Sequence, residues 1–576
     1  MTQGQDAMVN VGSVKEMQQT GVKVVVLGGR SIVLFLDEGK VYALDNRCPH
    51  MGFPLHRGTV KNGILICHWH HAKFDLAGGC TFDPFADDIA PFRAEVRDGQ
   101  VWVDPRPMEE DRRQHWERKL DEGLHQQIPL VLAKSVIGLD AMDETGDILR
   151  RAALFGVRYR AAGWSTGLSV LTAMSNVLPY LAPEDRPLAL YHGLSHVAAS
   201  TAGEAPAFPL APLKTAEARP LRFIEWFRHS VELRAGAGAE RALRTAIAAG
   251  MPPETISEMV FAAATDHRYL DGGHSLDFAN KAFELLGHIG WENAQDVLPS
   301  LVPHLTGGQR MEETSAWREP IDVSALLDDV ERELPAAISA GQGRLTEWKG
   351  HRDAAEQVLD GTPAETLAAL LGLVSEGVPL TELSAAVAYA AARRLAHFHM
   401  SNEFSDWDTV HHAFTYANAV DRAMRRHPSA LLARGVFDGA IAVYLERFLN
   451  VPKQPLPAKS GAHPSRDEVL ASFDRQGQAN ETAYLLAGVL SVGDKREAVR
   501  LLGHALLRED AGFHMFQSFE AAVQQAEQFG DGMLSAHVLL GAARFLAAHS
   551  PTARAARQTY EVAARLHRGE SLHGDV

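Results

Sequence analysis

The sequence predicts an α+β, multidomain protein: a small all-β domain followed by a large all-α region with internal helical repeats. Three observations carry this. Short β-branched and apolar runs crowd residues 20–105. After Pro105-Arg106-Pro107 the chain turns to Ala, Leu, Glu and Arg, with apolar residues three and four apart, as in Ile256, Met259, Val260 and Ala263. All three cysteines, Cys48, Cys67 and Cys80, fall in the β part, whereas 22 of the 27 histidines lie beyond residue 110.

The β elements read in order. Val24–Leu27, Ile32–Leu36 and Val41–Leu44 are separated by Gly28-Gly29 and Asp37-Glu38-Gly39-Lys40. Ile64–Ile66 and Phe74–Leu76 follow, and Asp98-Gly99 predicts a hairpin turn between Ala94–Val96 and Gln100–Val103. Residues 1–107 form the first expected domain and 108–451 a helical region. Two Pro-rich breaks, Glu204–Leu213 and Pro452–Pro464, read as loops; a linker is expected at 452–466, a helical segment at 467–576 and fraying after His567.

Repeats are expected at about 240–310 and 370–451. Gly250-Met251-Pro252 leads to Asp271-Gly-Gly-His274 and then Phe278-Ala-Asn280. Gly377-Val378-Pro379 leads to Asp408-x-x-His411-His412 and then Tyr416-Ala-Asn418. A weaker third copy runs through Asp510 and His514 to Phe519 and Ala521.

Bulk properties exclude several classes. Apolar residues make up 46% and charged residues 22%, so the chain is an ordinary globular one. A net charge of −16 argues against nucleic acid and anionic membrane as partners. Apolar runs such as Ala385–Ala392 fall short of the roughly 20 residues of a membrane helix. The polar start Met1–Asp6 lacks a signal pattern, and a cytoplasmic location is expected. No Gly-rich dinucleotide fingerprint is present.

Cys48-Pro49-His50 and Cys67-His68-Trp69-His70 carry the chemistry. Thiolates and neutral imidazoles both suit iron. A two-iron, two-sulfide cluster with Cys48 and Cys67 on one iron and His50 and His70 on the other fills every position, and exchanging thiolates for imidazoles raises the potential to about −150 to +300 mV. A tetrahedral zinc site is the alternative use of two cysteines and two histidines. Gly52, Gly78 and Gly79 flank the loops and let amides approach sulfur. Cys80 reads as a packed small residue, and His68 and His71 as exposed neighbours.

With these residues, 20–105 resembles a Rieske iron–sulfur domain of the ferredoxin and ring-hydroxylating-oxygenase kind. Cys67-His-Trp-His-His-Ala-Lys-Phe-Asp75 is similar to the family's second ligand box. The resemblance implies a [2Fe–2S] cofactor on Cys48, His50, Cys67 and His70. Respiratory members add a cysteine in each ligand loop; none follows His50 closely or separates Cys67 from His70 here, which points to the oxygenase-like branch. His71 stands where many members have glycine.

Such oxygenases use a second iron bound by Asp/Glu-x-x-His-x4-His, and that pattern is absent. Candidate ligands for a second, non-haem iron are instead His192 with His196, one helical turn apart, and the repeated pairs Asp271/His274 and Asp408/His411. Taken singly, each of these residues reads first as a helix cap or a buried histidine. His192-Gly-Leu-x-His196 also resembles questin-oxidase-like proteins, which are helical and linked to oxidative ring cleavage. Arg393-Arg394 and Arg422 with Arg425-Arg426 read as solvated faces or as sites for an acidic partner. The expected function is an oxidoreductase, oxygenase-like, fed by an external reductase or ferredoxin and acting on a small molecule at a helical site. The alternative is a non-enzymatic electron-transfer or redox-sensing protein.

Overall fold

A computed structural model describes residues 8–108, 111–215, 219–345, 347–457, 463–570 and 572. It divides into two compact units, Met1–Ile148 with Ala556–Val576, and Leu149–Ala555.

Among the described residues of the first unit, nine strands form two antiparallel sheets. A six-stranded sheet has the order β1-β9-β8-β4-β3-β2, from β1 (Val9–Ser13), β2 (Val22–Leu27), β3 (Arg30–Asp37), β4 (Lys40–Asp45), β8 (Pro91–Arg97) and β9 (Gln100–Pro107). A three-stranded sheet joins β5 (Thr59–Lys61), β6 (Ile64–Ile66) and β7 (Lys73–Asp75). Four hairpins turn through pairs of left-handed residues: Gly28-Gly29, Glu38-Gly39, Asn62-Gly63 and Asp98-Gly99. Positive φ at both central positions matches the twist of the flanking strands, so these residue pairs set the register.

The alternation along β3 explains the two cores. Ile32 and Leu34 point to one face, with Met17, Ala43, Phe92, Val101 and Val103. Val33 and Phe35 point to the other, where Leu44, Leu55, Leu65, Phe74, Cys48 and Cys67 pack. The ligand loops therefore grow from the second core. Helices Arg112–Gln126 and Pro129–Asp140 form a hairpin in the same unit, and Leu566, near the end of helix Ala555–His567, lies against Gly52.

Among the described residues, every element of the second unit is helical, as expected. Helix Phe404–Arg426 packs against Leu380–Ala396, His274–Ile289, Arg434–Leu445 and Phe513–Gln528, and is buried along most of its length. Caps define the ends: Ser165 accepts from the Leu168 amide, and Thr362 and Glu365 form a reciprocal capping box before Pro363. The break at 204–213 lies between helices Arg186–Thr201 and Pro220–Glu232. Of the break at 452–464, residues 458–462 lie outside the described residues, as do Met1–Asp6 and 573–576 of the expected fraying tail. No helix among the described residues is long and apolar enough to cross a membrane. Arg394 does not face solvent: it is buried and donates to the carbonyls of Leu359 and Val443.

Candidate metal centres

Each N-terminal ligand loop is a tight backbone crossing. The Cys48 amide donates to the Phe53 carbonyl, and the Cys67 amide to Ala72. The two thiols are buried and hydrogen-bonded to each other, and none of the three cysteines is in a disulfide. Backbone amides of His50 and Met51 point at Cys48 sulfur, and those of Trp69 and His70 at Cys67 sulfur. The contact between the thiols pushes Cys48 up and Cys67 down, so the pair shares protons as a unit.

Outside the thiols stand two imidazoles. The rings of His50 and His70 lie edge to face with centroids 4.7 Å apart. His50 Nδ1 is buried with no hydrogen-bond partner among the described residues. Burial, with the neighbouring His70 and Lys134, lowers its pKa to about 4, which keeps the ring neutral and able to ligate. His70 is exposed beside Trp69. Gly79 leaves no room for a side chain, since a Cβ there would strike the Ile89 carbonyl. His71 adopts φ +60°, the left-handed backbone that glycine takes freely. His68 and His71 are exposed, as expected; Cys80 is exposed rather than packed.

Residues 7–93 match the family model of the Rieske [2Fe-2S] domain. Human apoptosis-inducing factor 3 is 33% identical over 91 residues, which are 16% of this chain and 15% of that protein. The ferredoxin component of the alkene monooxygenase system of Xanthobacter autotrophicus is 29% identical over 101 residues, 17% of this chain and 83% of the ferredoxin. The oxygenase component of 3-ketosteroid-9-alpha-monooxygenase from Rhodococcus rhodochrous is 34% identical over 104 residues, 16% of this chain and 27% of that protein. The chain thus spans only a small part of the first and last of these. The ferredoxin of carbazole 1,9a-dioxygenase from Nocardioides aromaticivorans is similar at 20% identity and a TM-score of 0.17, covering 18% of this chain and 100% of that one.

The Rieske domain implies a [2Fe–2S] cluster and an electron-transfer role. The donor set fits one: two sulfurs face two imidazoles, an imidazole nitrogen is orphaned, and amides already point at sulfur. Such amides stabilise charge on cluster sulfur and raise its potential.

The helical unit holds a second cluster of donors. His274, His412 and His514 bring one nitrogen each within 4.8 Å of the others. His412 Nε2 and His514 Nε2 are 3.0 Å apart, and the His274 and His412 rings lie at 4.5 Å. His274 opens its helix after a run of left-handed residues, Asp271, Gly272 and Gly273. Burial is the main cause holding His274 to about 4 and His412 to about 3, so both are neutral imidazoles. His514 Nδ1 donates to Asp408 at 3.1 Å, which fixes its tautomer and leaves Nε2 as the ligating atom.

The candidates read from sequence are distributed as follows. His274 belongs to the trio, and Asp408 supports it from behind through His514. His411 is fully buried, stacked on Phe545, with both ring nitrogens unpartnered among the described residues. Adjacent helical residues diverge by about 100°, so His412 joins the trio while His411 stacks on Phe545, its ring 5.2 Å from that of His514 but outside the group of converging nitrogens. Asp271 gives its amide to the Gln309 carbonyl. His192 and His196 pack on Phe516, His192 Nε2 meeting the Leu507 carbonyl at 3.1 Å, and among the described residues neither belongs to a group of three donors. His412 and His514 were not among the candidate ligands. The Asp510–His514 echo of the repeat was the one signal for His514.

One turn beyond His274 and His514 lies a buried ionic centre. Gln517 donates to Asp277, and Lys281 bridges Glu284 (2.9 Å) and Glu520 (2.8 Å). Burial raises Asp277 to about 7.

Proposed function

We propose that the chain is a two-centre oxidoreductase. In this reading Cys48, Cys67, His50 and His70 hold the [2Fe–2S] cluster, an external reductase or ferredoxin supplies electrons, and His274, His412 and His514 hold a non-haem iron where oxygen and a small organic substrate react. The observation that carries the second centre is the convergence of three imidazole nitrogens, one of them on a ring oriented by Asp408.

When bound, the cluster carries one electron at a time and has no open position for substrate. A mononuclear iron on three protein ligands keeps open positions, which is the chemistry the helical unit needs. The residues have distinct tasks. Amides at the two sulfurs stabilise the thiolates. Exposed His70, beside Trp69, offers the route for electrons. Burial keeps His274 and His412 unprotonated near neutrality, and Asp408 holds the proton of His514 on Nδ1.

Electron paramagnetic resonance of the holoprotein tests this. The reduced protein is expected to show the cluster signal, and the oxidised protein a separate mononuclear iron signal that H412A and H514A abolish while the cluster signal stays. A cluster signal alone, unchanged in H412A, supports the electron carrier without a second iron.

A further inference from the structure

The first unit contains a cavity of about 740 Å³ beside the first ligand loop, touching Cys48 and Pro49. Arg30, Arg47, Arg112, Lys134, His567 and Arg568 line it. The side chains of Arg30, Arg47 and Arg112 have no hydrogen bond or ion pair among the described residues. Arg568 is held by Glu570 at 2.6 Å. Three carboxylates also reach the wall. Asp88 is occupied by Arg118 at 2.9 Å, and Asp87, held by His115 at 3.0 Å, also faces Lys134. Asp45 faces Arg30 and Arg47. Four cations, Arg30, Arg47, Arg112 and Lys134, thus surround the space against two carboxylates, Asp45 and Asp87.

These cations work against one another. Burial is the main force against the charge of Lys134; Asp87 favours that charge, and Arg47 and Lys119 oppose it. His567 is opposed by Arg112, Arg568 and Lys134. Like charges gathered around a cavity are relieved by an anion, and guanidiniums recognise phosphate and carboxylate by paired hydrogen bonds. The volume lies within the range of small-molecule sites. Trp116 and Leu566 add an apolar wall.

We propose that this cavity binds a small polyanion carrying two or more phosphate or carboxylate groups, and that its occupancy lowers the potential of the neighbouring cluster. Lys134 is the physical link. Its ammonium donates to the carbonyl of Pro49, between Cys48 and His50. A cation there favours the reduced, more negative cluster, and an anion beside Lys134 cancels that field. Arg112, Trp116 and Lys134 come from the helices that follow the Rieske match, and Leu566, His567 and Arg568 from the last helix and its end. The site is therefore an addition to the domain. The coupling to potential rests on the cluster assignment above; the binding does not.

Calorimetry of the full-length holoprotein at physiological ionic strength, with inorganic pyrophosphate and with citrate as probes, tests the site. At least one probe is expected to bind saturably, about tenfold or more weaker in R47A and R112A. R97A, whose partner is Glu95 on an exposed strand, should bind as wild type. A redox titration with the bound probe should give a lower midpoint than without it, and K134M should abolish the difference. Failure of both probes to bind, or undiminished binding by R47A and R112A, overturns the site. Binding with an unchanged midpoint overturns the coupling. A protein without acid-labile sulfide would refute the cluster reading instead, and the calorimetry would still decide the cavity.

Discussion

The two candidate centres are built in opposite ways. In the Rieske domain the four donors lie within 23 residues, on two loops that follow β4 and β6, strands of the two sheets that share one core. In the helical unit the three histidines lie 138 and 102 residues apart, and only packing of helices 274–289, 404–426 and 513–528 unites them. A locally encoded site needs correct turns. A long-range site needs the whole unit folded, so its supporting core contains groups that would be costly anywhere else.

The largest expected effect is on the local site. C48S should abolish the cluster outright, bleaching the protein and removing its labile sulfide, while the helical content seen by circular dichroism stays. A parallel loss of helix would break the contrast between the centres.

The long-range site should be most sensitive in its core. Lys281, Glu284 and Glu520 are nearly inaccessible. K281M strands two buried carboxylates and should cost about 3–5 kcal/mol in denaturant unfolding of the helical unit. K73A, which breaks an exposed pair with Asp83, should cost under about 1 kcal/mol.

Asp277 sharpens the same point through pH. Burial raises its pKa from 3.8 to about 7, so the folded state binds its proton more tightly than the unfolded one. The stability this contributes is full below pH 3.8, declines by about 1.4 kcal/mol per pH unit above that, and is gone once pH passes 7. Unfolding curves of wild type and D277N should therefore diverge on acidification, in favour of wild type. Parallel curves would place Asp277 in contact with water.

Smaller effects probe the ligands. D408A removes the carboxylate that orients His514 and should weaken metal binding by the helical unit about 10–100-fold in a chelator competition, with cluster sulfide unchanged. H71G should stabilise the Rieske unit by about 1 kcal/mol, because glycine adopts the left-handed backbone at this position without strain. A cluster lost on H71G would show instead that the imidazole itself supports the loop.

The same contrast decides what the sequence revealed. Strands β2–β4 and β6–β9 were legible because alternation and turn residues act over a few positions. β1, β5 and helix Val14–Thr20 were not: β1 pairs with distant β9, β5 is only three residues long, and the helix buries a single residue, Met17. The spacing of Cys48, His50, Cys67 and His70 is itself the geometry of the first site. For the helical unit, the repeat pointed to His274 and Asp408, but a 100° rotation separates His411 from His412, and no local pattern states which one faces Phe545. His192 and His196 show the limit: one turn apart on a helix, they pack on an aromatic ring instead of joining a third donor.

The most direct measurement is the ratio of iron to acid-labile sulfide in anaerobically purified protein, for wild type and H412A side by side. Two separately built centres predict about three irons to two sulfides in wild type, and about two to two in H412A. Equal iron and sulfide in both proteins would leave the helical histidines without metal and contradict the two-centre account.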